Sequence, residues 1–168
     1  MRFTDIYVGF PGRVHNARIF SSSPLYSQGV PMCQEYTILG DSAYPNLGWL
    51  LTPFKENQCI TPNHVHYNYI HSSIRTTIER AFGLLKGRFR RLKYIDQSEP
   101  ETMSNTIASG CCLHNICILE EDIAADMEDD VGVPVAILPP GIFNNDSRER
   151  GVLRRNAVMN RLARQRRY

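Results

Sequence analysis

Seven apolar residues, Ile74, Ile78, Ala81, Phe82, Leu85, Phe89 and Leu92, follow one another at separations of 4, 3, 1, 3, 4 and 3. That spacing gathers them into an apolar stripe about 100° wide on a helix turning 100° per residue, and such a stripe has to face a core. The pattern predicts a helix over Ser73 to Lys93, with Ser72 or Ser73 as its cap. Beside the stripe lie Arg75, Glu79, Lys86 and Arg90, so the Glu79 carboxylate sits at the margin of the buried face. Taken alone, this is a helix-surface ion-pair ladder, since Arg75 and Glu79 are one turn apart.

The other elements are shorter. Phe3 to Phe10 is rich in aromatic and β-branched residues and stops at Pro11-Gly12, which predicts a strand closed by a turn. Two short helices are expected next, one over His15 to Ser21 and one opening at Ser23-Pro24-Leu25, with serine as cap and proline at the first helical position. Tyr36 to Leu39 reads as a short buried strand broken by Gly40-Asp41-Ser42. Asp41 thereby falls just past a strand's C-terminal end, the edge at which ligands gather in open α/β sheets. Residues 52–70 carry Thr52-Pro53, Thr61-Pro62-Asn63 and Asn68 without sustained periodicity, and are expected to form a long loop. A further helix over Pro100 to Leu119, capped by Ser98, is apolar nearly all round and should be deeply buried. Within it, His114 and Asn115 are expected to be satisfied by backbone or by each other.

At 168 residues, 42% hydrophobic and 21% charged, the chain has the make-up of one globular domain. No apolar run approaches the ~18 residues of a membrane-spanning helix. Nothing at Met1 to Ile6 has the succession of a secretory signal, so an intracellular chain is expected. The net charge of +2 hides a strong partition. Residues 1–60 are neutral, 61–100 carry +4, 101–146 carry −9, and 147–168 carry +7. This predicts a basic surface near residues 75–93, an acidic, proline-containing linker over 121–146 with its charge at Glu120 to Asp130, and a basic C-terminal helical tail over 147–168, of helix-forming composition but with a poor apolar stripe, ordered only on a partner. Nucleic acid is the natural partner of such basic stretches, although an acidic and a basic segment can also simply neutralise one another. The five cysteines follow no disulfide framework and read as reduced thiols. Cys59, His64 and His66 invite a zinc site, but the set lacks a fourth ligand at the usual spacing, His71 being only an opportunistic completion, and a polar loop containing histidine is the preferred account.

A carboxylate at a strand end, a second on an amphipathic helix and cations along that helix suit two-metal phosphodiester chemistry, in which carboxylates from separate elements hold the cations. Hard oxygen donors select Mg²⁺ or Mn²⁺. The runs Leu39-Gly40-Asp41-Ser42-Ala43-Tyr44-Pro45 and Trp49-Leu50-Leu51-Thr52-Pro53-Phe54 resemble the strand-and-loop signature of the PIF/Harbinger transposases and the nucleases derived from them. The resemblance continues through Asn68, His71-Ser72, Arg75, Ile78-Glu79-Arg80-Ala81-Phe82-Gly83, Leu85-Lys86 and Arg88-Phe89-Arg90 to Leu113-His114-Asn115. Upstream it takes in Phe10-Pro11-Gly12 and the stretch from His15 to Ser23, so that it spans residues 3–120.

That family has a ribonuclease H-like fold and a triad of two aspartates and a third acid. The resemblance implies an α/β domain over residues 1–120, with Asp41 as the second acid and Glu79 as the third, both catalytic and metal-holding, which displaces the simple ladder. It places Arg75, Lys86, Arg88 and Arg90 against the DNA backbone. It implies a divalent metal, a nuclear location with some cytoplasmic presence, DNA and a Myb/SANT-like DNA-binding protein as partners, and no membrane. The family's first aspartate lies on a central strand upstream of Phe3, and Asp5 does not replace it. An incomplete sheet and little cleavage by this chain are therefore expected. Asn16 stands where the family pattern has an aspartate after a histidine. A non-catalytic remnant that binds DNA or a nuclear protein is the alternative.

Overall fold

The computed structural model describes residues 1–10, 13–33, 36–96, 99–120 and 148–165. In chain order these form α1 (Asn16–Ser21), α2 (Pro24–Cys33), β1 (Ile38–Leu39), β2 (Leu50–Leu51), a 3₁₀ turn at Glu56–Gln58, α3 (Pro62–Arg88), a second 3₁₀ turn at Arg90–Lys93, α4 (Pro100–Leu119) and α5 (Arg148–Gln165). The described residues are thus mostly helical around a small sheet, an arrangement compatible with part of a ribonuclease H-like domain. No described helix is long and apolar enough to cross a membrane. The chain divides into two compact units, Met1–Gly12 with Thr76–Gly132, and Arg13–Arg75 with Val133–Tyr168. The division falls inside α3.

In the second unit β1 and β2 pair in parallel, Ile38 opposite Leu50 and Leu39 opposite Leu51. Ser23 caps α2 as its sequence predicts, its Oγ accepting the Tyr26 N–H at 3.2 Å with Pro24 next in line. Phe20, Cys33, Leu47, Trp49 and Leu50 form the core, with Leu25 and Tyr44 packed against it. Phe20 stands edge-on to both Tyr26 and Tyr44 at 5.3 Å. Gly29 lets α2 lie directly on the Trp49 indole, for a Cβ there would be 2.2 Å from the ring.

Residues 52–70 are not the long loop expected. Helix α3 begins at Pro62, where proline suits the first turn because its missing N–H is not needed there. His64 Nδ1 reaches back to accept the Thr61 N–H at 3.1 Å, doing the work of a capping-box acid. The tail, of helix-forming composition, is a helix over its described residues, but its packing departs from expectation. Instead of an arm awaiting a partner, residues 148–165 form α5, which packs on this chain with Gly151, Arg154 and Arg155 buried. Its buried face is made of glycine and arginine rather than aliphatic residues, so no apolar stripe announces it.

In the first unit, Phe3 to Phe10 is not a strand, because it has no strand partner among the described residues and Gly9 takes φ = +104°, off the extended path. Asn115 substitutes for a partner. It accepts the Phe3 N–H at 2.8 Å and donates from Nδ2 to the Phe3 carbonyl at 2.7 Å. His114 Nε2 donates to the Met1 carbonyl at 3.0 Å, so both residues serve the backbone, but the expectation of full satisfaction fails at His114 Nδ1, which is buried without a partner among the described residues. Helix α4 spans the expected residues but starts from Glu99; Ser98, Pro11-Gly12 and the acidic linker 121–146 lie outside the described residues. Nor is α4 deeply buried. Gly110, Cys111 and His114 are covered, whereas Leu113, Ile116 and Leu119 are exposed. The α3 stripe is divided in the same way, Ala81 and Leu85 being buried while Ile78 and Phe82 are exposed.

Candidate active site

Asp41 follows β1 by two residues, as its sequence predicts, and is half-buried. Its Oδ1 accepts the Ala43 N–H at 2.8 Å, and the Tyr44 N–H closes the turn on the Asp41 carbonyl at 3.2 Å. This Asx turn fixes the carboxylate's direction while Oδ2 keeps its capacity to accept. Tyr44 senses the charges around it. Its hydroxyl is pushed up by burial first and by Asp41 second, with Arg75 working in the opposite direction. Asp41, Tyr44 and Arg75 therefore share one electrostatic neighbourhood at the end of β1.

Glu79 belongs to the other unit, on the stretch of α3 beyond Arg75. It is exposed, rather than held at the margin of a buried face. Lys86 and Arg90 are exposed and Arg88 is half-buried. Among the described residues no group of three or more His, Cys, Asp or Glu side chains is gathered as a metal site. Three of the four zinc candidates are engaged otherwise. His64 serves Thr61, His71 Nε2 donates to the Leu51 carbonyl at 3.2 Å, and Cys59 Sγ accepts from Asn68 Nδ2 at 3.3 Å.

Side chains of α3 and α5 hold the stretch from Leu51, the last residue of β2, to Phe54. All four of its carbonyls are met by side chains: Leu51 by His71, Thr52 by Tyr67 at 3.5 Å, Pro53 by Arg155 at 3.2 Å and Phe54 by Asn68 at 2.9 Å. Asn46 Oδ1 takes the Thr52 N–H and Asn68 Oδ1 the Phe54 N–H. Arg155 also lies 4.0 Å over the Phe54 ring. Two helices thereby replace a strand ladder and hold the edge of the sheet that presents Asp41. An asparagine and a histidine one helical turn or less apart, following Thr-Pro-Phe, were the available signal, but Arg155 lies too far along the chain to be connected with them.

Asp41 at the end of the short parallel sheet thus lies in one unit, and Glu79 on the basic stretch of α3 in the other. The chain belongs to the DDE superfamily endonucleases, whose family model matches residues 1–115. It is 35% identical over 117 residues to the Bos taurus protein named "Putative nuclease HARBI1", which covers 67% of this chain and 33% of that protein. The Homo sapiens protein of the same name is 34% identical over 117 residues, with the same coverage. "Protein ALP1-like" of Arabidopsis thaliana is 30% identical over 142 residues, 75% of this chain and 34% of its own length. The chain thus spans about a third of the length of these relatives. No solved structure matches it.

Proposed function

We propose that this region supplies two of the carboxylates of a metal-dependent DNA endonuclease, Asp41 and Glu79, and the cations that seat the DNA backbone. The observation that carries the reading is Asp41 itself. Its carboxylate is aimed by the Ala43 N–H just past a parallel strand, with Oδ2 left to accept and Arg75 in the same electrostatic neighbourhood. Hard carboxylate oxygens suit Mg²⁺ or Mn²⁺, and the donor chemistry of Asp41 and Glu79 fits such an ion. When bound, the metal would supply Lewis-acid stabilisation of charge on the phosphodiester. Asp41 and Glu79 would hold it, while Arg75, Lys86, Arg88 and Arg90 bind and orient the phosphates.

Two carboxylates make only part of a donor set, so low cleavage by these 168 residues alone is the expected outcome. A second reading, DNA binding without cleavage, is favoured by the run Lys86, Arg88, Arg90, Arg91 and Lys93, which contains no acid. For either reading the family resemblance supports a nuclear setting and a Myb/SANT-like protein partner. The test is nicking of supercoiled plasmid with Mn²⁺ by the protein at the length of its relatives, with and without Glu79→Gln. The wild type should nick and the variant should not; cleavage that survives the substitution would sink the role assigned to Glu79.

A further inference from the structure

The turn Arg90–Lys93 sits directly on α4 because Gly110 gives it room; a Cβ at Gly110 would lie 2.8 Å from Leu92 Cδ1. Beside this contact an open groove of about 440 Å³ lies within the first unit, lined by Phe89, Arg91, Leu92, Asn105, Ser109 and Leu113 among others. Its size falls in the ~300–1,000 Å³ range of small-ligand sites. The lining is differentiated. Phe89, Leu92 and Leu113 offer an aromatic and aliphatic floor. Asn105 and Ser109, four residues apart on α4, are exposed, and neither holds a hydrogen bond among the described residues. Arg91 is exposed at the rim, with Arg90 and Lys93 on the same turn.

An apolar floor containing an aromatic ring, amide and hydroxyl groups along one wall and cations at the mouth match the three parts of a nucleotide: base, sugar edge and phosphate. Duplex DNA presents phosphates to such a groove but keeps its bases stacked, so the floor would go unused. Single-stranded nucleic-acid sites combine these same features, a basic track and an aromatic platform. We infer that this groove seats one unpaired nucleotide of a DNA strand, its base over Phe89 and Leu92 and its phosphate on Arg91. The inference deepens the nuclease reading, since it names the form of DNA the region holds, but it requires neither metal nor cleavage.

Binding of a fluorescein-labelled dT₁₂ strand and of a 12-base-pair duplex, both in EDTA and followed by fluorescence anisotropy, tests it independently of catalysis. The full chain should prefer the single strand. Arg91→Ala should weaken single-strand binding and lower the slope of log K against log salt by about 0.7, the value of one single-strand phosphate contact. Phe89→Leu should weaken single-strand binding about tenfold, as expected for one lost stacking platform, and leave duplex binding unchanged. Asn105→Ala with Ser109→Ala, both on the exposed surface of α4, provides a variant that does not disturb folding and should also weaken the single strand. Arg13→Ala, an exposed cation in the other unit, should have no such selective effect. Equal affinity for strand and duplex, or single-strand binding unaltered by Arg91→Ala and by the Asn105/Ser109 pair, would overturn the inference. Plasmid nicking that survives Glu79→Gln while the strand preference is kept would count against the metal-holding role of Glu79 and leave the groove standing.

Discussion

Asn68 on α3 holds both backbone groups of Phe54, accepting its N–H at 2.8 Å and donating to its carbonyl at 2.9 Å. A primary amide has the donor and acceptor geometry of a peptide group, so one side chain here stands in for a neighbouring strand. Asn115 on α4 does the same for Phe3 in the other unit. Asn68→Ala removes both bonds to the Phe54 backbone, together with the one to Cys59 Sγ, and leaving part-buried backbone groups unmet costs about 1–3 kcal/mol for each unsatisfied group. Chemical denaturation should show a loss within about 2–4 kcal/mol. Asn68→Asp, which keeps the acceptor but not the donor, should lose stability as well; a variant as stable as wild type would mean that the Phe54 backbone finds other partners.

Helix α5 is fastened through Arg155 and Gly151. Arg155→Ala should lower stability by about 2 kcal/mol, from the lost bond to Pro53 and the lost cation–ring contact. Arg155→Met should cost less, because it refills the volume and no longer buries a charge. At Gly151 a Cβ would lie 2.6 Å from the Asn46 carbonyl oxygen, a rigid backbone atom. Gly151→Ala should therefore destabilise the second unit much as deletion of residues 148–168 does. Thermal melts of the three proteins check this, and a deletion that leaves the melting temperature unchanged would contradict the brace.

Trp49 is the only tryptophan of the chain, which makes its environment directly readable. Gly29→Ala places a methyl 2.2 Å from the indole and forces α2 or the ring to move. Overpacking of this kind costs about 1–3 kcal/mol. A red-shifted tryptophan emission together with a lower denaturation midpoint is the expected pair of observations.

Burial holds His71 below its ordinary pKa, with Arg75 and Arg155 adding to the effect and the Leu51 carbonyl opposing it. The folded state thus disfavours the protonated ring, while the unfolded chain accepts a proton near the ordinary value of 6.5. The stability that depends on neutral His71 is complete above that value and is lost as the pH falls through it towards the lower folded value. Melting temperature should decline between about pH 7.5 and about pH 5.5, and His71→Gln should make that decline shallower. Parallel slopes for the two proteins would show that His71 is not the group responsible.

Where local chemistry decides structure, the residues announce it. Ser23-Pro24 opens α2, Pro100 to Leu119 is α4, and Asp41 stands past β1 because a β-branched and aliphatic pair is cut off by glycine. The parts that escape reading depend on distant partners. Phe3 to Phe10 has strand composition, yet a strand exists only through its partner, and here Asn115 takes that place. Helix α3 begins at Pro62 because a histidine can cap, a signal weaker than the turn residues around it. Helix α5 buries arginines against a ring and a carbonyl roughly a hundred positions earlier, which no periodicity registers. Of the site, Asp41's placement was legible and its anchoring by Ala43 was not; Glu79 is exposed rather than at the margin of the buried face, where the spacing puts it.

The central claim, that Asp41 and Glu79 each serve as metal-holding acids, is tested most directly by Mn²⁺ binding to the protein at the length of its relatives, followed by electron paramagnetic resonance of the free ion. Asp41→Asn and Glu79→Gln should each weaken Mn²⁺ binding about tenfold or more. Mn²⁺ bound as tightly by both variants as by the wild type would contradict it.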